Sequence, residues 1–302
     1  MFKVQLLVVG SAVLAVFAVR TWSDTRATGL TFSHAQASGA AARETYADLA
    51  GRRIWYSDSG GSGTPVVLVH ARTGSTLAWE HQLPVFSRAG YRVIAYDRPG
   101  HGRSEMTPSA SQTGTAADDL DALLGHLGVD RFHLVGTAAG GIVSLDYALS
   151  FPHRLRSLVV ANSVGGVQDE DYVALGRRLR PSPQFEALPP EFRELGPSYR
   201  AGNPEGTARW MKVEEQSRSK NRPSTPEKMR NRITWSLLET IRIPTLLLTG
   251  DADLYTPPTV LELFSQRIKT STTVILPGVG HSAYWEQPEL FNRAVLDFIR
   301  QQ

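Results

Sequence analysis

From residue 44 onward, short and largely apolar runs alternate with stretches whose apolar positions recur every three or four residues. The runs fall at 65–70, 91–97, 131–136, 155–161, 244–249 and 272–276. Each is too short for a stable helix, and the continuous apolarity of 65–70 marks a strand covered on both faces. Helical spacing appears at 75–89, 116–127, 140–149, 258–268 and 288–300. Residues 44–49 and 52–58 flank Ala50-Gly51 and predict a hairpin. Strands alternating with helices predict an α/β protein with a mostly parallel, doubly wound sheet flanked by helices.

The alternation stops between Gly166 and Ile241, where no convincing strand is found. This span is rich in Arg, Glu and Pro, with helical pieces at 207–218 and 226–238. It is too long for a connecting loop, so an inserted helical cap over the sheet end is expected at 167–240. The core then consists of 44–166 and 241–302. The opposite irregularity sits at the start, where Lys3 precedes an apolar run from Val4 to Val19 and Arg20 ends it. At about 1.5 Å per residue the run spans ~24 Å, short of a ~30 Å hydrocarbon core. A basic start, a short apolar run and small residues beyond it read as a secretory signal. The alternatives are an uncleaved anchor with a polar linker over 1–37, or a buried element of the fold. The expectation is export to the periplasm or exterior, or anchoring by this segment.

Composition narrows the chemistry. The 302 residues are 41% hydrophobic and 20% charged, which excludes wholesale disorder. The net charge is +3 with no dense Lys/Arg block, so a small molecule rather than nucleic acid is the expected partner. No cysteine is present, which removes thiolate nucleophiles, iron–sulfur clusters and cysteine zinc sites. Neither a H-x-x-x-H pair nor a carboxylate cluster argues for a metal, and no cofactor is expected.

The strand at 131–136 runs directly into Gly136-Thr137-Ala138-Ala139-Gly140-Gly141. This is the frame of a nucleophile elbow, in which a sharp strand-to-helix turn lifts the middle side chain above the sheet. Alanine stands at the middle position and has no lone pair. An ordinary packing turn is the competing reading, and a dinucleotide turn lacks its G-x-G-x-x-G.

Other segments resolve that choice. Val67-Leu68-Val69-His70 precedes a loop, and Asp97-Arg98-Pro99-Gly100-His101-Gly102-Arg103-Ser104 follows the next strand. Gly250-Asp251-Ala252-Asp253 follows a late strand, and Gly280-His281 precedes the last helix. With the elbow, these five pieces resemble the α/β-hydrolase family over nearly the whole span from 44 to 300, in its capped serine-esterase form. The resemblance implies a nucleophile–acid–histidine triad in that chain order. It places the nucleophile at Ala138, where serine is expected, the acid at Asp253 and the base at His281. Asp251 competes for the acid role, but the family's offset after the glycine selects Asp253. The oxyanion hole would use the backbone N–H groups of Ala139 and Arg72. Ala71 stands where the family usually has glycine. The Arg72 side chain either grips a substrate carboxylate or reaches solvent. His70 belongs to the oxyanion-side loop and His101 to a structural loop.

Ala138 either replaces the nucleophile of an inactivated serine hydrolase or belongs to a silent homologue that binds a small apolar ligand. The intact Asp253 and His281 favour replacement. Serine is favoured over aspartate as the missing residue, because Ala139 follows rather than the tryptophan of haloalkane and epoxide hydrolases. The implied reaction is hydrolysis of an ester or lactone through an acyl-enzyme, with C–C bond hydrolysis as an alternative. Tyr172, Phe185, Phe192, Tyr199, Trp210, Met211, Met229 and Trp235 supply the cap's apolar surface. Most are expected to form its own core, and the few facing the cleft to bind an apolar substrate.

Overall fold

The computed structural model describes residues 42–49, 51–106, 114–218 and 227–302. The expected signal, anchor and linker at 1–37 lie outside the described residues. Among the described residues nine strands form one sheet: β1 (Arg43–Leu49), β2 (Arg52–Asp58), β3 (Pro65–Val69), β4 (Arg92–Tyr96), β5 (Glu105–Met106), β6 (Phe132–Thr137), β7 (Leu155–Ala161), β8 (Thr245–Gly250) and β9 (Ser271–Leu276). Their order is β1-β2-β4-β3-β6-β7-β8-β9, with β5 paired to β2. β1–β2 and β2–β4 are antiparallel, and every pairing from β4–β3 to β8–β9 is parallel.

The apolar runs have a simple cause. In β3, Val67 and Val69 join the core on one face, with Leu120, Val143 and Phe264. Val66 and Leu68 join the other, with Trp79, Phe86 and Phe291. Period-2 alternation thus sends every residue into a core. The first face carries α2 (Ala116–His126) and α3 (Ala139–Ser150), the second α1 (Leu83–Arg88). Thr115 and Asp118 form a capping box that starts α2. The helix expected over 75–89 is instead a short 3-10 turn, Thr76–Trp79, followed by α1. Pro84 has no N–H with which to continue a helix from Glu80. The Gln82 amide is meanwhile committed to the Tyr284 carbonyl at 2.8 Å.

Between β7 and β8 lie α4 (Glu170–Leu179), α5 (Pro190–Glu194), α6 (Pro197–Gly202), α7 (Pro204–Ser217) and α8 (Trp235–Leu238). The described residues of this insertion form no strand, only a bridge of Arg218 to His101. The helix expected over 226–238 shrinks to α8. Buried Asp146 accepts the backbone N–H groups of Arg230 and Asn231, both at 2.8 Å, and holds that stretch open. The chain closes with α9 (Pro258–Arg267) on the first face, then α10 (Ala283–Glu286) and α11 (Pro288–Ile299) on the second. Among the described residues no helix is long and apolar enough to cross a membrane.

Candidate active site

β6 delivers Ala138 to the carboxyl end of the sheet, where open α/β sheets bind their ligands. Ala138 sits at φ 51°, ψ −118°, a conformation that side chains with a Cβ rarely adopt. The turn is fixed on both sides. Ala138 N–H donates to the Ala161 carbonyl at 2.9 Å, and Gly141 N–H to the Ala138 carbonyl at 3.0 Å. Two glycines make it possible. A Cβ on Gly136 would collide with the Gly140 carbonyl, and one on Gly140 with the carbonyl oxygens of Val69 and His70. The loop after β3 therefore lies directly against the elbow. Ser163, after β7, offers no substitute nucleophile. Its hydroxyl donates to the Ala138 carbonyl at 2.6 Å and accepts the Gly165 N–H at 3.1 Å.

The structure brings Asp253 and His281 together. His281 Nδ1 lies 2.9 Å from both Asp253 carboxylate oxygens, and both residues are buried. Asp253 also accepts the N–H groups of Tyr255 at 2.7 Å and Thr256 at 3.0 Å. Thr256 Oγ1 donates to it at 2.6 Å and Asn162 Nδ2 at 3.0 Å. Burial pushes the Asp253 carboxyl up, but His281 and these donors outweigh it and hold it well below the usual carboxylate range. Burial pushes His281 down, and the Asp253 carboxylate more than reverses this, leaving the imidazole above its ordinary value. With Nδ1–H bound to the carboxylate, Nε2 is the nitrogen left to exchange a proton. Asp251 is exposed and accepts the Gly278 N–H at 2.6 Å, so it stands outside this pair.

Ala139 is the first residue of α3, and its N–H has no partner within the helix. Arg72 lies in the β3 loop and is exposed. That loop is braced by the Asp97–Ser104 segment. Arg98 N–H donates to His70 Nε2 at 2.9 Å, and His70 Nδ1 donates to the Ala71 carbonyl at 2.7 Å, which fixes the tautomer. The Asp97 carboxylate accepts the N–H groups of Thr76 at 2.6 Å and Arg103 at 2.8 Å. His101 packs edge-on against His70, with ring centroids 5.0 Å apart.

The insertion contributes groups that the sequence pattern does not single out. The Glu194 carbonyl accepts the His281 N–H at 2.8 Å, and the Glu194 side chain is buried beside the pair. Burial pushes its carboxyl up, with His281 opposing. The Tyr255 ring stacks on the imidazole with centroids 4.2 Å apart. Glu286 accepts N–H groups from Gly196 at 2.8 Å, Gly280 at 2.9 Å and Ser282 at 3.2 Å, tying the insertion to both flanks of His281. Of the aromatic residues in this insertion, Tyr172 and Trp235 are buried against Phe264 of α9. Phe192 and Met211 are exposed. The one legible signal was the Asp-x-Tyr-Thr turn, since a carboxylate captures backbone N–H groups two and three residues on.

A profile of the alpha/beta hydrolase fold matches residues 64–288, and the chain belongs to that family. The chain is similar to the 2-hydroxy-6-oxononadienedioate/2-hydroxy-6-oxononatrienedioate hydrolase of Burkholderia vietnamiensis. They are 30% identical over 278 residues, 82% of this chain and 91% of that protein. It is 26% identical to the 2-hydroxy-6-oxo-6-phenylhexa-2,4-dienoate hydrolase of Comamonas testosteroni, over 84% of this chain and 94% of that protein. A solved esterase from Thermogutta terrifontis, with malate bound, aligns over 87% of this chain and 99% of its own. Its TM-score is 0.66 at 26% identity. These relatives are hydrolases acting on small molecules.

Proposed function

We propose that the site serves hydrolysis, by acyl transfer, of a carboxylic ester or lactone of an apolar small molecule. Position 138 is the place of the nucleophile, and the protein with Ala138 is its inactive form. The observation that carries this reading is the strained backbone of Ala138 beside an intact Asp253–His281 pair. Holding a non-glycine residue in such a region costs ~1–3 kcal/mol, and a turn needed only for packing has no use for it.

With serine at 138, His281 Nε2 accepts the hydroxyl proton as Oγ bonds to the carbonyl carbon. The N–H groups of Ala139 and Arg72 take the developing oxyanion. The C–O bond then breaks, and His281 returns the proton to the leaving alcohol. Water then adds to the acyl carbon as it gives a proton to His281, the acyl–Oγ bond breaks, and His281 returns that proton to Oγ as the acid leaves. Asp253 holds the tautomer throughout and stabilises the imidazolium. The cap residues govern which acyl group reaches the serine.

The names of the two hydrolase relatives favour a second reading, in which the same nucleophile position serves C–C bond hydrolysis of a dienoate acid. Turnover by the Ala138→Ser variant on ester, lactone and vinylogous diketone panels separates the two. A rise of several orders of magnitude on one panel supports the corresponding reading, since losing the nucleophile costs on the order of 10⁶ in turnover. No rise on any panel, in a folded variant, leaves a silent ligand-binding protein instead.

A further inference from the structure

Among the described residues eleven arginines are neutralised in ion pairs, such as Arg92 with Asp58, Arg154 with Asp121 and Arg209 with Glu80. Arg180, the residue after α4, and Arg193 of α5 are not among them: neither forms a salt bridge within the described residues. Both are partly buried and line one cavity of about 480 Å³. Arg193 Nε is buried there without a hydrogen-bond partner. Arg180 spends one N–H on the Tyr255 carbonyl, at 2.8 Å. Exposed Arg177 adds a third guanidinium to the wall, against the single carboxylate of exposed Glu186.

The cavity also has an apolar wall and a defined place relative to the candidate dyad. Phe185 packs edge-on against the Tyr255 ring, with centroids 5.0 Å apart, and both line the cavity. The same Tyr255 ring stacks on His281. One aromatic side chain therefore bounds the cavity and touches the base. The buried Glu194 carboxylate lies near enough to Arg193 to feel its charge but makes no hydrogen bond or salt bridge to it, so the guanidinium groups keep spare donors whose planar forks fit carboxylate and phosphate oxygens. A cavity of this size holds a small organic molecule.

We propose that Arg180 and Arg193 form an anion subsite, so that the ligand is an apolar or aromatic molecule carrying a carboxylate or phosphate group. The subsite grips that charge on the far side of Tyr255 while the reacting carbonyl sits over position 138. This deepens the hydrolase reading and rests on it only for the position of the carbonyl.

Because Ala138 performs no turnover in that reading, binding is measured directly on the protein as it stands. Isothermal titration compares 4-phenylbutyrate and phenyl phosphate with neutral 4-phenylbutyramide. One anion or both should bind about tenfold or more tightly than the amide, the size of a hydrogen bond to a charged group. The arm that binds identifies the oxyacid. Arg180→Gln and Arg193→Gln should each erase most of that preference without altering amide binding, whereas exposed Arg300→Gln should leave it intact. Equal affinity for acid and amide, absence of binding at millimolar concentrations, or a preference that survives both substitutions overturns the proposal. Charge-selective binding with an inert Ala138→Ser variant upholds the subsite and defeats the hydrolase reading. An active Ala138→Ser variant without charge selectivity does the reverse.

Discussion

Replacing Asp253 by alanine removes the acceptor on which the dyad is built. His281 Nδ1, Tyr255 N–H, Thr256 N–H, Thr256 Oγ1 and Asn162 Nδ2 all converge on its two oxygens. Thr249 Oγ1 has a better acceptor in the Thr256 carbonyl at 2.6 Å and loses little. An unsatisfied buried donor costs ~1–3 kcal/mol, but water entering the space and rotating hydroxyls recover part of the sum. Breaking a buried charge pair from one side costs ~3–5 kcal/mol, and that is the expected loss here. At roughly 2–4 °C per kcal/mol for a domain of this size, the melting temperature should fall by about 10 °C. The pH dependence is the sharper test. Asp253 titrates below its unfolded value, so its contribution is present above about pH 3.9 and fades as pH falls through the folded value. His281 titrates above its unfolded value, so its contribution is complete below about pH 6.5 and fades as pH rises through the folded value. Thermal melts of both proteins across this range should therefore show the widest gap between about pH 4 and 6.5. A gap under ~1 kcal/mol, or one that stays constant into strong acid, would refute the reasoning.

Phe264→Ala should cost ~3–5 kcal/mol, because the ring is buried between Tyr172 at 5.8 Å and Trp235 at 5.2 Å. Limited proteolysis should then cut the 167–240 insertion well before the sheet, and simultaneous cutting of both would count against it. Burial pushes Glu286 up to about 7, although three backbone N–H groups donate to it. An acid raised this way binds more protons folded than unfolded, so the protein should lose stability as pH rises from about 4.3 to about 7. Denaturant titrations of Glu286→Gln should show that slope reduced, with one N–H bond weakened; an unchanged slope assigns it elsewhere.

The sheet was legible because its physics is local. Residues 65–69 are apolar at consecutive positions, a pattern that only a doubly covered strand explains in so few residues. The elbow was legible for a similar reason, since Gly136 and Gly140 are demanded by backbone contacts a few residues away or one strand over. The insertion was harder to read. Its partial collapse from a helix over 226–238 to α8 is imposed by Asp146, more than 80 residues earlier in the chain. Glu194 reaches the dyad only because the end of α5 meets His281, and nothing in its sequence neighbourhood signals that position. Asp253 and Asp251 have similar local surroundings in sequence. What separates them is the fold, which buries one against His281 and leaves the other to hold Gly278.

The central claim is that position 138 is a nucleophile's place within reach of His281. Intact mass spectrometry tests it most directly, on the Ala138→Ser variant after exposure to an activated aryl ester and to an alkyl fluorophosphonate. A single adduct per chain, mapped by peptide sequencing to position 138, is expected. It should be absent with Ala138 and strongly slowed when His281→Ala is added. A folded variant that takes no adduct, or one carrying it at another serine, would contradict the account.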